Sequence, residues 1–169
     1  MKKPTKIFLV LLSSVLLLAG VIGTTGCMFT DDSNSVKSYA VNKTITFAKV
    51  KYTVTETIRS ATLNDIAAPE DYEYLTITVK IENTVNNRMT FNQLCWRYVD
   101  TNHIERDCLN DAQYQTSTSM GAGAIVAKNS TPFVSTISFL VKTGETGLIN
   151  FYFTLDSLVA GFAIDLSKK

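Results

Sequence analysis

The strongest constraint on the fold is a two-residue period in the apolar side chains. Leu75, Ile77, Val79 and Ile81 alternate with Thr76, Thr78, Lys80 and Glu82, the pattern of a strand with one face in a core and one in water. Ile45 and Phe47 repeat it, and so do Val50, Tyr52 and Val54. Between Phe47 and Val50 the apolar parity changes from odd to even, which predicts a bulge or a break between two strands. Leu94, Trp96 and Tyr98 share one face of a further strand, and residues 133–141, 148–155 and 162–166 complete the set. Turn-forming clusters at 83–87, 100–102, 128–131 and 143–147 separate the runs. No stretch after residue 43 sustains a helical apolar stripe; the pattern leaves room only for brief helices within residues 60–71 and near 156–160. Seven or more short strands in about 125 residues predict an all-β, antiparallel two-sheet sandwich.

Ahead of the strands lies a segment of another kind. Lys2, Lys3 and Lys6 precede an uncharged apolar run of 17 residues, Ile7 to Gly23, and small residues then lead to Cys27. A basic head, an apolar middle and a small-residue cleavage site make a secretory signal, here residues 1–26. Thr24-Thr25-Gly26-Cys27 resembles the lipobox of prokaryotic lipoproteins, with Thr24 where an aliphatic residue is usual. The resemblance implies that Cys27 is lipidated as the first mature residue. The run sits at the short limit for spanning ~30 Å of hydrocarbon, so an uncleaved anchor is the second choice. Residues 27–42, with Thr30, Asp31, Asp32, Ser33, Asn34 and Ser35, read as the lipidated Cys and a solvated tether. Residues 43–169 are then the folded domain. The expected location is the cell membrane, lipid-anchored and facing outside the cytoplasm.

Charge narrows the partners. The chain has 16 Lys and Arg against 15 Asp and Glu. Removing the three lysines of the leader leaves 13 basic against 15 acidic side chains, a net charge of −2. Such a domain lacks the basic surface that nucleic acid demands.

The other two cysteines fit the strand pattern. If Thr101-Asn102 is the tip of a two-residue hairpin, Asp100 pairs with His103, Val99 with Ile104 and Cys95 with Cys108. The cysteines then face each other at a close, non-hydrogen-bonded position suited to a disulfide, and an exported chain meets an oxidising compartment. The same register sets Arg97 opposite Arg106, an unfavourable like-charge pair. Its rival is two independent buried thiols. With no Cys-x-x-Cys anywhere, the bond would be a staple on the outer face, with Trp96 in the core.

Three segments carry a family resemblance: Tyr74-Leu-Thr-Ile-Thr-Val-Lys-Ile-Glu-Asn83, Leu94-Cys-Trp-Arg-Tyr-Val-Asp-Thr-Asn102 and Asn129-Ser-Thr-Pro-Phe-Val-Ser-Thr-Ile-Ser-Phe139. They resemble the immunoglobulin-like domain of unknown function 4352, common in prokaryotic lipoproteins. Asn83, Val99-Asp100 and Phe139 match its pattern; His103 stands where its turn glycine is usual, and Asn129-Ser-Thr replaces Pro-Gly-Glu. The resemblance implies an immunoglobulin-like β-sandwich outside the cytoplasm and supplies no reaction and no binding residues.

Catalytic chemistry finds few residues to use. His103 is the single histidine, and a nucleophile–histidine site would have to be built on it within the expected hairpin turn. Asp100, Asn102, Glu105 and Asp107 offer oxygens to a hard cation but lack the spacing of a calcium loop. The polar stretch 110–124, with Tyr114 and Met120, is long for a sandwich connection and is the candidate binding loop. The expectation is a cell-envelope lipoprotein with a non-catalytic domain and no cofactor, held to the membrane through Cys27 and binding an envelope protein or polymer. The alternative is a metal-dependent or small-ligand-binding module built on His103 with Asp100, Glu105 or Asp107.

Overall fold

The computed structural model describes residues 36–85, 89–121, 124–126, 131–155 and 158–168. The signal segment, Cys27 and most of the expected tether lie outside them. Val36–Lys169 forms one compact unit. Its strands are β1 (Ser38–Ala40), β2 (Ile45–Phe47), β3 (Val50–Ser60), β4 (Thr62–Leu63), β5 (Ile66–Ala67), β6 (Tyr72–Asn83) and β7 (Met89–Phe91). After these come β8 (Trp96–Val99), β9 (Glu105–Asp107), β10 (Ala124–Val126), β11 (Phe133–Lys142), β12 (Leu148–Leu155) and β13 (Leu158–Asp165).

Two sheets carry the fold. One has the order β1-β13-β12-β8-β9 and the other β11-β6-β3-β2; β7 pairs with β10 and β4 with β5. The pairings are antiparallel except β1 with β13, which is parallel. That strand lies inside the segment expected as tether, beginning five residues before the expected boundary of 43.

The two-residue period has its expected consequence. Ile77, Val79 and Ile81 of β6 are fully buried, as are Val50 and Val54 of β3 to within about 1%. Between the sheets Tyr52 lies 5.0 Å from Phe151 and 5.3 Å from Phe162, and Trp96 lies 4.9 Å from Phe151. The Tyr52 contacts join the two layers, while Trp96 and Phe151 are paired within the five-stranded sheet. Burial pushes the Tyr52 phenol well above its ordinary value.

The parity change resolves as a hairpin. Phe47 pairs with Val50 across a two-residue turn in which Ala48 and Lys49 both have positive φ, 48° and 63°. Both flanking side chains can then point inward. The bulge of β3 lies further on, between Val54 and Glu56. No helix occurs within residues 60–71; Leu63 pairs with Ile66 across Asn64 and Asp65, whose φ angles are 50° and 64°. The second brief helix is replaced by β13, apart from residues 156 and 157, which lie outside the described set. Leu94 belongs to a short 3-10 turn, Gln93–Cys95, rather than to a strand, and is 43% exposed.

Candidate functional site

The hairpin of β8 and β9 gathers most of the residues singled out for chemistry. Arg97 pairs with Asp107, Tyr98 with Arg106 and Val99 with Glu105, one residue out of step with the expected register. The loop has three residues instead of two. The Asp100 N–H donates to the Ile104 carbonyl at 3.0 Å, and the His103 N–H donates to the Asp100 carbonyl at 3.0 Å. His103 takes the left-handed position, φ 63°, where a three-residue hairpin loop favours glycine. The shift removes the Arg97–Arg106 conflict: Arg97 ion-pairs with Asp107, and Arg106 reaches Asp100 at 3.3 Å.

That shift takes the two cysteines out of the directly opposed ladder position expected for them. Carried one step past the last pair, the observed register sets Cys108 opposite Trp96, while Cys95 closes the 3-10 turn Gln93–Cys95 just ahead of β8. Both are free thiols in the structure, Cys108 buried and Cys95 half-buried. The Cys108 thiol donates to the Gln93 carbonyl at 3.4 Å, and the Leu109 N–H donates to the Ser138 carbonyl at 2.8 Å, carrying the chain to the other sheet. Burial raises both thiols above their ordinary value against the opposing pull of Arg97, and the neighbouring Cys95 adds to the rise at Cys108.

Asp100 is the centre of the hairpin tip and is only 4% exposed. Its Oδ1 accepts from the N–H groups of Asn102 and Ile104, both at 2.9 Å. The Ile104 amide, with Asn102 and Arg106 behind it, holds the carboxyl below its ordinary value although burial opposes the shift. Beside it is an open depression of about 200 Å³, lined by Asp100, His103, Thr146, Asp165 and Ser167 among others. Asp165 accepts from the Ser167 N–H at 3.0 Å and pairs with Lys168 at 3.2 Å. Both carboxylates are thus engaged with neighbouring chain.

The other acids point elsewhere. Asp107 faces Arg97, and Glu105 accepts from the Tyr152 hydroxyl. Asp100, Glu105 and Asp107, proposed from sequence as companions of His103, therefore divide between the hairpin tip and the outer face of the five-stranded sheet. Among the described residues no three His, Cys, Asp or Glu side chains come together to hold a metal ion. Sequence reasoning missed two members of the outer face. The Asn150 amide donates to the Tyr152 hydroxyl at 2.8 Å, and the buried Asn150 Oδ1 has no hydrogen-bond partner among the described residues. An asparagine between Ile149 and Phe151, in a run otherwise suited to a strand, was the available signal.

The candidate binding loop is fastened rather than free. Met120 is 4% exposed, and the Tyr114 ring sits 6.1 Å from that of Tyr74. The Asn64 amide donates to the carbonyls of Gln113 and Gln115, both at 2.9 Å. The Thr136 N–H donates to the Thr118 carbonyl at 2.9 Å, and the Met120 N–H donates to the Thr136 carbonyl at 3.2 Å. This stretch straps the outer edge of β11. Residues 122 and 123 lie outside the described set.

Fold and site together define a two-sheet β-sandwich whose polar clusters are tied into its own hairpins and loops. The chain belongs to the family described as domain of unknown function (DUF4352), whose model matches residues 39–157. Among solved structures it is similar to the yjhA protein of Bacillus subtilis, with 13% identity, TM-score 0.58, and 78% of this chain and 99% of that one covered. It is also similar to the lipoprotein candidate ycdA of the same organism, at 12% identity and TM-score 0.57. That match covers 78% of this chain and spans 40% of the length of ycdA. The secreted protein MPT63 of Mycobacterium tuberculosis matches at 12% identity and TM-score 0.55, with 79% and 99% covered. At such identities the likeness is one of fold. No curated protein matches the sequence.

Proposed function

We propose that the chain is a lipid-anchored envelope protein whose sandwich is non-catalytic and binds another envelope protein or a polymer of the envelope. The observation that carries the non-catalytic reading is the state of Asp100. Of the acids set beside His103 in sequence it is the most buried, and its oxygens serve two backbone amides and Arg106. A carboxylate so used organises a turn and has little capacity left for proton transfer. The binding reading draws on the outer face of the five-stranded sheet, where Arg97, Glu105, Asp107 and Tyr152 offer both donors and acceptors. The alternative, a small-ligand module, rests on the depression beside Asp100, whose volume of about 200 Å³ is below the ~300–1,000 Å³ of ordinary ligand sites.

Location rests on Cys27. Eight residues separate it from Val36, so a lipid there would hold the domain within ~30 Å of the bilayer. Intact mass of the membrane-extracted protein tests this; residues 27–169 plus a diacylglyceryl group is expected, and an unmodified full-length mass overturns it. Binding is tested by cross-linking the full chain in native membranes, beside Arg97→Glu and Tyr152→Ala variants. One reproducible adduct lost in both variants is expected. Turnover of a substrate that His103→Ala abolishes would overturn the non-catalytic reading.

A further inference from the structure

The two sheets guard their edges unequally. In the five-stranded sheet the edge strands β1 and β9 have three residues each, short enough to offer little to another chain. In the four-stranded sheet the edge of β11 is strapped by residues 116–120 through both backbone bonds of Thr136. On the opposite side of that sheet the short β2 leaves most of β3 uncovered, the longest such stretch among the described strands. The 11 residues of β3 pair along their length with β6, but on the other side β2 covers only Val50–Tyr52. The Asn42 N–H, bonded to the Val54 carbonyl at 2.8 Å, extends that cover to Val54. From Thr55 to Ser60 no backbone bond on this side is present among the described residues, and Thr55 to Arg59 are exposed.

The side chains that would ordinarily guard such an edge are drawn back over the sheet. Arg59 donates to Glu73 Oε1 and to the Glu145 carbonyl, both at 2.5 Å, and Glu56 accepts from the Thr78 hydroxyl at 3.5 Å. No proline or lysine stands in the segment, and Ile58 is 49% exposed. We infer that the Thr55–Ser60 edge of β3 is a self-association surface, pairing antiparallel with the same edge of a second copy of this chain.

A two-fold axis perpendicular to the sheet keeps its faces aligned, so opposed residues must share a face. Glu56, Ile58 and Ser60 lie opposite Thr78, Thr76 and Tyr74 of β6 and share one face. Centring the axis at Ile58 sets Ile58 of one copy against Ile58 of the other, Glu56 against Ser60, and Thr57 against Arg59. The exposed apolar side chain is then covered and no like charges are opposed. Centring it at Thr57 would set Ile58 against Glu56, and at Glu56 would oppose two carboxylates. A strand pair of six residues buries less than the ~1,200 Å² of a standard interface, so the pairing is weak in dilute solution and is best trapped.

The test is Ile58→Cys in the full chain, oxidised in the membrane and run on a non-reducing gel beside wild type and Val134→Cys. Val134 is 55% exposed on β11, away from the proposed contact. The expected result is a reducible band at twice the monomer mass, about tenfold stronger than in either control. Adding Thr57→Pro, which removes an edge donor, should lower the band about tenfold. If the proline chain does not fold, Ser60→Glu takes its place, setting a second carboxylate opposite Glu56, with the same loss expected. A band no stronger than with Val134→Cys, a band indifferent to the second substitution, or an adduct with a protein of different mass overturns the inference.

Discussion

At the scale of single residues, Asp100 and His103 divide the work of one turn. Asp100 supplies acceptors to two amides of the loop, and its folded-state pKa lies below the ordinary value. Folding therefore favours the ionised form. The resulting stabilisation is complete above the unfolded value of about 3.9 and is lost as the pH falls through the lower folded value. Asp100→Asn should be less stable near neutrality, and the gap to wild type should close below about pH 4; melting curves across that range check it. Glu73 and Asp165 are also held low, so the difference between the two curves, not the wild-type slope, isolates Asp100. His103 has φ 63°, a conformation that costs an ordinary L-residue about 1–2 kcal/mol and glycine far less. His103→Gly is expected to stabilise the domain by about 0.5–1 kcal/mol after the added freedom of the unfolded chain is counted. Loss of stability in a denaturant titration would show that the imidazole makes a contact of its own.

Among the elements, alternation along one strand was legible and registration between strands was only partly so. Residues 75–82 declare a buried and a wet face without reference to any partner. The β8–β9 register depends on whether the tip has two residues or three. That choice rests on a left-handed residue which, being histidine instead of glycine, gives little warning. A single-residue difference there reverses the facing of every downstream side chain, and it moves Cys108 from opposite Cys95 to opposite Trp96. Alkylation in denaturant without reductant should label both Cys95 and Cys108; a mass showing neither labelled would mean that the oxidised chain departs from this register. The 110–124 stretch reads as a loop because its bonds go to β11 and to Asn64, both distant in sequence. Met120→Ala is expected to cost about 2–4 kcal/mol, as for a packed core methionine. A cost within about 0.5 kcal/mol in urea titration would mark Met120 as surface.

For the whole molecule, the sandwich follows from composition and period, but what closes it at its first edge does not. Nothing in Ser38-Tyr39-Ala40 signals that these residues run parallel to Ala163-Ile164-Asp165, more than 120 residues later. The contact is physically plausible only once β13 is in place, since β13 would otherwise offer its own edge to solvent. The Ala163 N–H donates to the Lys37 carbonyl at 3.0 Å, and Lys168 reaches the Ser38 hydroxyl at 2.8 Å. Ala163 is 1% exposed and Ile164 is fully buried. A soluble chain starting at residue 43, the boundary that periodicity suggests, would lack β1 and uncover that edge, while one starting at residue 36 would keep it. The shorter chain should melt lower by ~4 °C or more and should associate more readily at high concentration, because an unpaired edge invites strand addition. Calorimetry and light scattering on the two chains decide between the boundaries: equal melting and equal mass would return residues 36–42 to the tether, whereas the expected difference makes them part of the fold.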